Sequence, residues 1–204
     1  MALLHKAQIT PSKLELLAAW LPTRPWYDGE GPLSRVAAAR FDDPAGEVGV
    51  ETMLVRAGDG PVLHVPLTYR GAPLDGAEEH LIGVTEHSVL GKRWVYDGTG
   101  DPVYVATLVE VIRSAGSEAV EEIESDGARV TREVDLTLTG SGAEVAPATA
   151  ITGHADGDPT VIATDALTLN VNRVPLIAVD PADRGVLSGC WSGQETPAVL
   201  VHLR

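Results

Sequence analysis

From Glu47 to Arg70 the sequence alternates in a way that only a pair of strands satisfies. Val48, Val50 and Leu54 point one way, and Glu47, Gly49, Glu51 and Met53 point the other. Ala57-Gly58-Asp59-Gly60 supplies a turn, and Leu63, Val65, Leu67 and Tyr69 then alternate with His64, Pro66, Thr68 and Arg70. Two such runs around a Gly/Asp turn predict a β-hairpin. Pro66 has no N–H for a ladder, so its strand is expected to lie at an edge or to bulge there. The alternation leaves Glu47, Glu51 and His64 on a solvated face.

Helices flank this hairpin. Thr10 and Pro11 predict an N-cap followed by a proline at the first helical position. Leu14, Leu17, Ala18 and Leu21 share a face, and Pro22 stops the helix. Arg24-Pro25-Trp26-Tyr27 follows at once, so Trp20, Trp26 and Tyr27 gather a large part of the chain's sparse aromatic content. Such rings either anchor the helix to a sheet or form a recognition surface. Asp101-Pro102 repeats the cap-then-proline start. Tyr104, Val105, Leu108, Val109, Val111 and Ile112 then form the buried stripe of a helix over Val103 to Ala115, stopped by Gly116.

Further strands are predicted over Ser34 to Phe41, His80 to Val89 and Lys92 to Tyr96. Residues 117–126 are acidic and read as a frayed helix or a connection between two units. Beyond them, Arg129 to Thr139, Ala143 to Ile151, Thr160 to Val174 and Ala198 to Leu203 read as short strands between Gly and Asp turns. The expected fold class is α+β, with a first unit at 1–116 and a β-rich unit at 127–204.

A formal charge of −14, with 29 acidic against 15 basic residues, argues against nucleic acid and anionic membrane surfaces as partners. No apolar run reaches the ~18 residues of a membrane-spanning helix. Residues 1–10 carry no apolar signal-peptide segment, and the lone Cys190 forms no intrachain disulfide. A cytoplasmic location is expected.

The run Trp20-Leu21-Pro22-Thr23-Arg24-Pro25-Trp26-Tyr27 resembles the opening of the N-terminal cap of actinobacterial maltokinases. It is closer still to stand-alone maltokinase N-terminal cap-like proteins. Val65-Pro66-Leu67-Thr68-Tyr69, Leu81-Ile82-Gly83, and Trp94-Val95-Tyr96-Asp97 with Asp101-Pro102 extend the likeness over about Met1 to Ala115. Asp42 to Val50 and Pro66 to Ala77 look like the stand-alone group in particular. The resemblance implies a cystatin-like fold, a helix packed on a curved antiparallel sheet. In maltokinases this cap precedes the region that phosphorylates maltose with ATP on a route to α-glucan. Stand-alone relatives are often labelled α-glucan branching proteins.

At 204 residues the chain is expected to lack the kinase catalytic region. The region Ile151 to Val174, with Ala166 to Val174 in it, resembles a kinase N-lobe strand, but Asn170 stands at the position of the nucleotide-contacting lysine, which would leave the phosphates without their positioning charge. Alternatively, these strands are a β-module unrelated to any kinase. Retaining glycoside chemistry needs two carboxylates about 5–5.5 Å apart, whereas Glu47 and Glu51 sit ~13 Å apart at strand rise. The scattered histidines His5, His64, His80, His87, His154 and His202 show no metal-ligand spacing, and Ser188 to Gly193 lacks the Gly-x-Ser-x-Gly pattern.

The expectation is a module with no catalytic residues, metal or cofactor, linked to maltose or α-glucan metabolism and acting through a protein partner. The alternative is a binder of a sugar or sugar phosphate. Arg24, Trp26, Tyr27 and Trp94 are the candidate binding residues, since aromatic faces stack on sugar rings and Arg adds a hydrogen-bonding fork. A ligand binder should present a polar, aromatic-lined concavity, and a protein-binding module an exposed apolar patch.

Overall fold

A computed structural model describes residues 2–4, 8–125, 128–177 and 184–204. His5 and Asp126 lie outside the described residues. The architecture is predominantly antiparallel β, with a curled sheet and few helices. Among the described residues no helix is long and apolar enough to cross a membrane.

The strands of the first half are β1 (Ala2–Leu4), β2 (Ile9–Thr10), β3 (Leu33–Phe41), β4 (Gly49–Ala57), β5 (Val62–Arg70), β6 (Leu81–His87) and β7 (Gly91–Asp97). All but β1 form one antiparallel sheet in the order β2-β6-β7-β5-β4-β3. The predicted hairpin is β4–β5, with Glu51 opposite Leu67 and Leu54 opposite His64. β5 pairs with β7 only over Leu67–Arg70, so Pro66 sits where that side of the strand has no β7 partner.

Helix α1 (Lys13–Trp20) covers one face of this sheet. Leu17, Trp20 and Leu21 pack there against Ala38, Met53, Val55, Leu63, Val65 and Val95. Its cap is Ser12, not Thr10. Ser12 Oγ accepts from Glu15 N while Glu15 Oε2 accepts from Ser12 N, a reciprocal capping box. Thr10 is engaged in β2 opposite Glu86, and the Thr10–Pro11 peptide is cis. Ala18 is exposed, and Trp20 takes its place in the buried stripe. The helix gives way to a 3-10 turn at Leu21–Thr23, where Pro22 is accommodated.

Helix α2 (Pro102–Arg113) starts as predicted, with the Asp101 carboxylate accepting from Val103 N. It ends through Ala115 rather than Gly116. Ala115 adopts φ 55°, and Gly116 N donates to the Val111 carbonyl. α2 lies on the opposite face of the first sheet from α1. There Tyr104, Val105, Leu108, Val109 and Ile112 join Ala37, Ala39, Phe41, Val50 and Leu54.

The second half contributes β8 (Glu121–Ser125), β9 (Ala128–Arg132), β10 (Leu136–Gly140), β11 (Ile151–Ala155), β12 (Thr160–Thr164), β13 (Thr168–Leu176), β14 (Val186–Trp191) and β15 (Gln194–Leu203). β8 pairs with β9 and, in parallel, with β1, so these acidic residues form a strand rather than a frayed helix. The last six strands form a second antiparallel sheet, β10-β14-β15-β13-β12-β11.

Of the strands predicted here one fails, one went unpredicted, and those over Arg129 to Thr139 and Thr160 to Val174 each break into two, β9 and β10, and β12 and β13. Residues 143–150 are not a strand, because Asp165 draws the N–H groups of Thr149 and Ala150 onto its carboxylate, in competition with a ladder. β14 went unpredicted because Ser188, Gly189 and Cys190 dilute its apolar pattern. A Cβ at Gly189 would stand 3.2 Å from Leu136 Cδ1 and Leu138 Cδ2, so the glycine is what lets those leucines pack.

The second sheet closes over α2 and the inner face of the first. Leu136, Leu138, Ile162, Leu169, Val171, Leu187, Leu200 and Val201 share one apolar cluster with the α2 residues. The first sheet is therefore covered on both faces, which corrects two surface assignments. His64 is completely buried, with Nδ1 donating to the Asn172 carbonyl on β13, and Glu51 is only 5% exposed. Burial, helped by the charge of Arg173, pushes His64 down to about 3, so the ring is neutral.

Truncating a side chain in this shared cluster should be felt across both sheets. Leu138→Ala is expected to cost about 2–5 kcal/mol, lowering the midpoint of a transition reported alike by far-UV circular dichroism and tryptophan fluorescence. Separate transitions by the two probes would contradict a common core.

Candidate functional site

One row across the first sheet carries Arg40, Glu51, Leu67 and Asp97, paired strand by strand on the face that bears α1. Both carboxylates are buried, and each receives a cation from a different element. Lys13, in the first turn of α1, places Nζ 2.6 and 2.8 Å from the two Glu51 oxygens, and Tyr69 OH also donates to Glu51. On the far side of Leu67, the fully buried Arg173 of β13 places Nη2 2.6 Å from Asp97. Burial alone would raise both acids. The cations outweigh it, holding Glu51 at about 2 and Asp97 below the ordinary aspartate range. Burial and Glu51 raise the Tyr69 phenol well above its ordinary value.

Next to the Lys13–Glu51–Tyr69 group opens a cleft of about 610 Å³. Its walls are the start of α1, the end of β3, the loop before β4, and the β6–β7 hairpin. Lys13, Arg40, Glu47, Tyr69, Thr85 and Arg93 line it. Local chemistry fixes each wall. Asp43 accepts from the N–H groups of Ala45, Glu47 and Val48, bracing the loop before β4. Thr85 donates to the Pro11 carbonyl and ties β6 to the segment before α1. His87 Nδ1 accepts from Val89 and Leu90 N, closing the β6–β7 turn. Gly49 lies opposite Tyr69 and a Cβ there would stand 3.2 Å from its ring, so the glycine seats the ring against β4. Lys13 Nζ and the Arg40 guanidinium carbon lie 5.1 and 5.9 Å from the Tyr69 ring centre.

Near neutral pH an ionised, buried Glu51 and the protonated Tyr69 back this cleft, and guanidinium groups stand at its walls. Groups with those fixed protonation states recognise ligands by hydrogen bonds and charge.

The aromatic candidates lie elsewhere. Trp26 Nε1 donates to Asp156 Oδ1 at 2.7 Å, and Arg24 reaches Asp156 Oδ2 at 3.3 Å. The Arg173 guanidinium sits 4.5 Å from the Trp26 ring centre, and Arg24 sits 4.9 Å from that of Trp20. Arg24 and Trp26 thus join the segment after α1 to the β11–β12 hairpin. Tyr27 donates its N–H to the Arg24 carbonyl and packs in the α1-side core. Trp94, on β7, lies 4.9 Å from Lys92 Nζ and, among the described residues, shares no hydrogen bond or ring contact with the other three.

The family model of the maltokinase N-terminal cap domain matches residues 20–101. The chain carries a maltokinase N-terminal cap-like domain. No curated protein matches the chain. The cap-like domain contains Arg40, Glu51, Tyr69, Thr85 and Arg93, whereas Lys13, Asp156 and Arg173 lie outside the matched span. The cleft residues escaped the sequence reading because Lys13 and Glu51 stand 38 positions apart and Glu51 falls in an alternating strand. One signal was present: Val50, Thr52, Met53 and Leu54 give both faces of that strand few polar groups.

The depressed carboxyl gives a pH prediction for the cap-like domain. The folded pKa of Glu51 lies below its unfolded value of 4.5, so its contribution is complete above that pH and is lost as pH falls toward about 2. That gap corresponds to about 3 kcal/mol. Glu51→Gln should lower stability at neutral pH and flatten the acid limb between about pH 4.5 and 2, measured by urea unfolding across pH. An unchanged acid limb would contradict the pairing.

Proposed function

We propose that this protein is a non-catalytic regulatory module of maltose or α-glucan metabolism that acts by holding a saccharide in the Lys13–Arg40–Tyr69–Arg93 cleft. The observation that carries this reading is the cleft itself, a concavity of about 610 Å³ with donors, acceptors and an aromatic ring at its walls. Ligand sites are typically of this order of size and have convergent polar groups. Saccharides present many hydroxyls that both donate and accept, which suits walls carrying Arg40, Arg93, Thr85 and Glu47 together. The pathway comes from the likeness to the maltokinase cap, an association by family.

We place binding in this cleft rather than on Arg24, Trp26, Tyr27 and Trp94, because Arg173 stacks on the Trp26 ring and Asp156 takes its N–H. On the same reading α1 on the curled sheet is a cystatin-like arrangement, the β-rich residues 127–204 are the unit that backs it, and the protein works in an actinobacterial cytoplasm.

A thermal-shift panel of maltose, maltooligosaccharides, trehalose and their phosphates tests the proposal. A ligand at about a hundred times its dissociation constant adds ~2.7 kcal/mol, which in a chain of this size raises the midpoint by several degrees. At least one saccharide should do so, and Gly49→Val, which pushes on the Tyr69 ring, should reduce the shift. A flat response to every saccharide in a folded protein would overturn the proposal.

A further inference from the structure

The charges around the cleft divide into those already engaged and those that are not. Lys13 is held by Glu51, and Asp43 by three backbone N–H groups. Asp42 is not free. Glu47 is exposed at the rim. Arg40 and Arg93 are different. Among the described residues neither guanidinium stands within ion-pair distance of a carboxylate, although the charge of Arg40 helps Lys13 hold its cross-strand neighbour Glu51 low. Arg40 faces the Tyr69 ring, and Arg93 donates only to the neighbouring Lys92 carbonyl.

Among the described residues the exposed Arg56 and Arg204 also have no ion pair, in a chain with 29 acidic residues and 15 basic ones. Arg35, Arg70, Arg113, Arg132 and Arg173 all lie against carboxylates. Arg40 and Arg93 are half-buried and stand on β3 and β7, on opposite sides of the cleft. A half-buried guanidinium is costly to leave without an acceptor.

We infer that the cleft takes a sugar bearing a phosphomonoester, with Arg40 and Arg93 as the groups that receive the phosphate. The inference rests on the cleft being the saccharide site proposed above. A carboxylate's two oxygens are matched by one guanidinium fork. A phosphate has three terminal oxygens and up to two negative charges, and can accept from two forks approaching from different sides. The Tyr69 ring and the exposed Glu47 are left to meet the sugar.

Isothermal titration of the full chain with maltose, maltose 1-phosphate, glucose 1-phosphate and inorganic phosphate tests this. The phosphorylated sugars should bind at least ~10-fold more tightly than maltose, as expected for a charge-assisted contact, and the advantage should shrink in high salt. Arg40→Gln and Arg93→Gln should each lower sugar phosphate affinity ~10-fold, a clearly larger loss than the same variant causes in maltose affinity. Arg40→Lys should restore part of the sugar phosphate affinity, and unchanged unfolding midpoints show that the variants fold. If maltose and its phosphate bind equally, and neither Arg→Gln variant alters affinity, the phosphate assignment falls while the saccharide cleft stands. If inorganic phosphate binds as tightly as the sugar phosphates, the site is a plain anion site and the inference is overturned. If no saccharide binds in any form, the proposed function itself fails.

Discussion

Two carboxylates buried in one cross-strand row set the terms for everything that packs on the first sheet. Glu51 and Asp97 flank Leu67, each nearly inaccessible to water. An ionised carboxylate in such a place is tolerated only with a cation and hydrogen bonds beside it. The chain meets this need with elements far apart in sequence: Lys13 from α1 and Arg173 from β13. Arg173 is itself fully buried, so Asp97, Thr99, Thr160 and the Trp26 ring satisfy it in turn. Removing one member of such a pair costs far more than the pair contributes over an apolar alternative. The pairs therefore act as alignment constraints, fixing where α1 and β13 lie, while apolar burial supplies most of the stabilisation.

The cleft follows from the same row. Arg40 continues it beyond Glu51, and Tyr69 stands one turn of the alternation along β5 from Leu67. Because Lys13 is drawn onto Glu51, it is not available to neutralise anything else. Because Tyr69 donates to the same carboxylate, its ring is held against the floor by Gly49. The cleft is thus rigid at its base and charged at its walls, the arrangement in which polar recognition loses least to reorganisation. Arg70, three positions from Leu67 and so on the opposite face of β5 from Tyr69, goes instead to Asp101, where the same carboxylate caps α2.

Much of the fold was legible in the sequence, and most of the site was not. The β4–β5 hairpin and the Asp101-Pro102 start of α2 are local signals, and both hold. The cap of α1 was displaced by two residues because Thr10 has a strand partner that sequence spacing does not show, while Ser12 and Glu15 form the reciprocal pair. Glu51 and His64 read as solvated because alternation assigns residues to faces without saying what covers each face. Helix α1 and the second sheet cover both here, and that is a tertiary fact. Arg24 and Trp26 did come together, as their proximity suggests, but around Asp156 of a distant hairpin.

Amide and indole chemical shifts, followed in a 15N-labelled sample during titration with maltose 1-phosphate, locate the binding face directly. Perturbations are expected to concentrate at Arg40, Gly49, Tyr69, Thr85 and Arg93, with the indole N–H signals of Trp26 and Trp94 unmoved. Shifts centred on those two indoles with a silent cleft would contradict binding in the cleft.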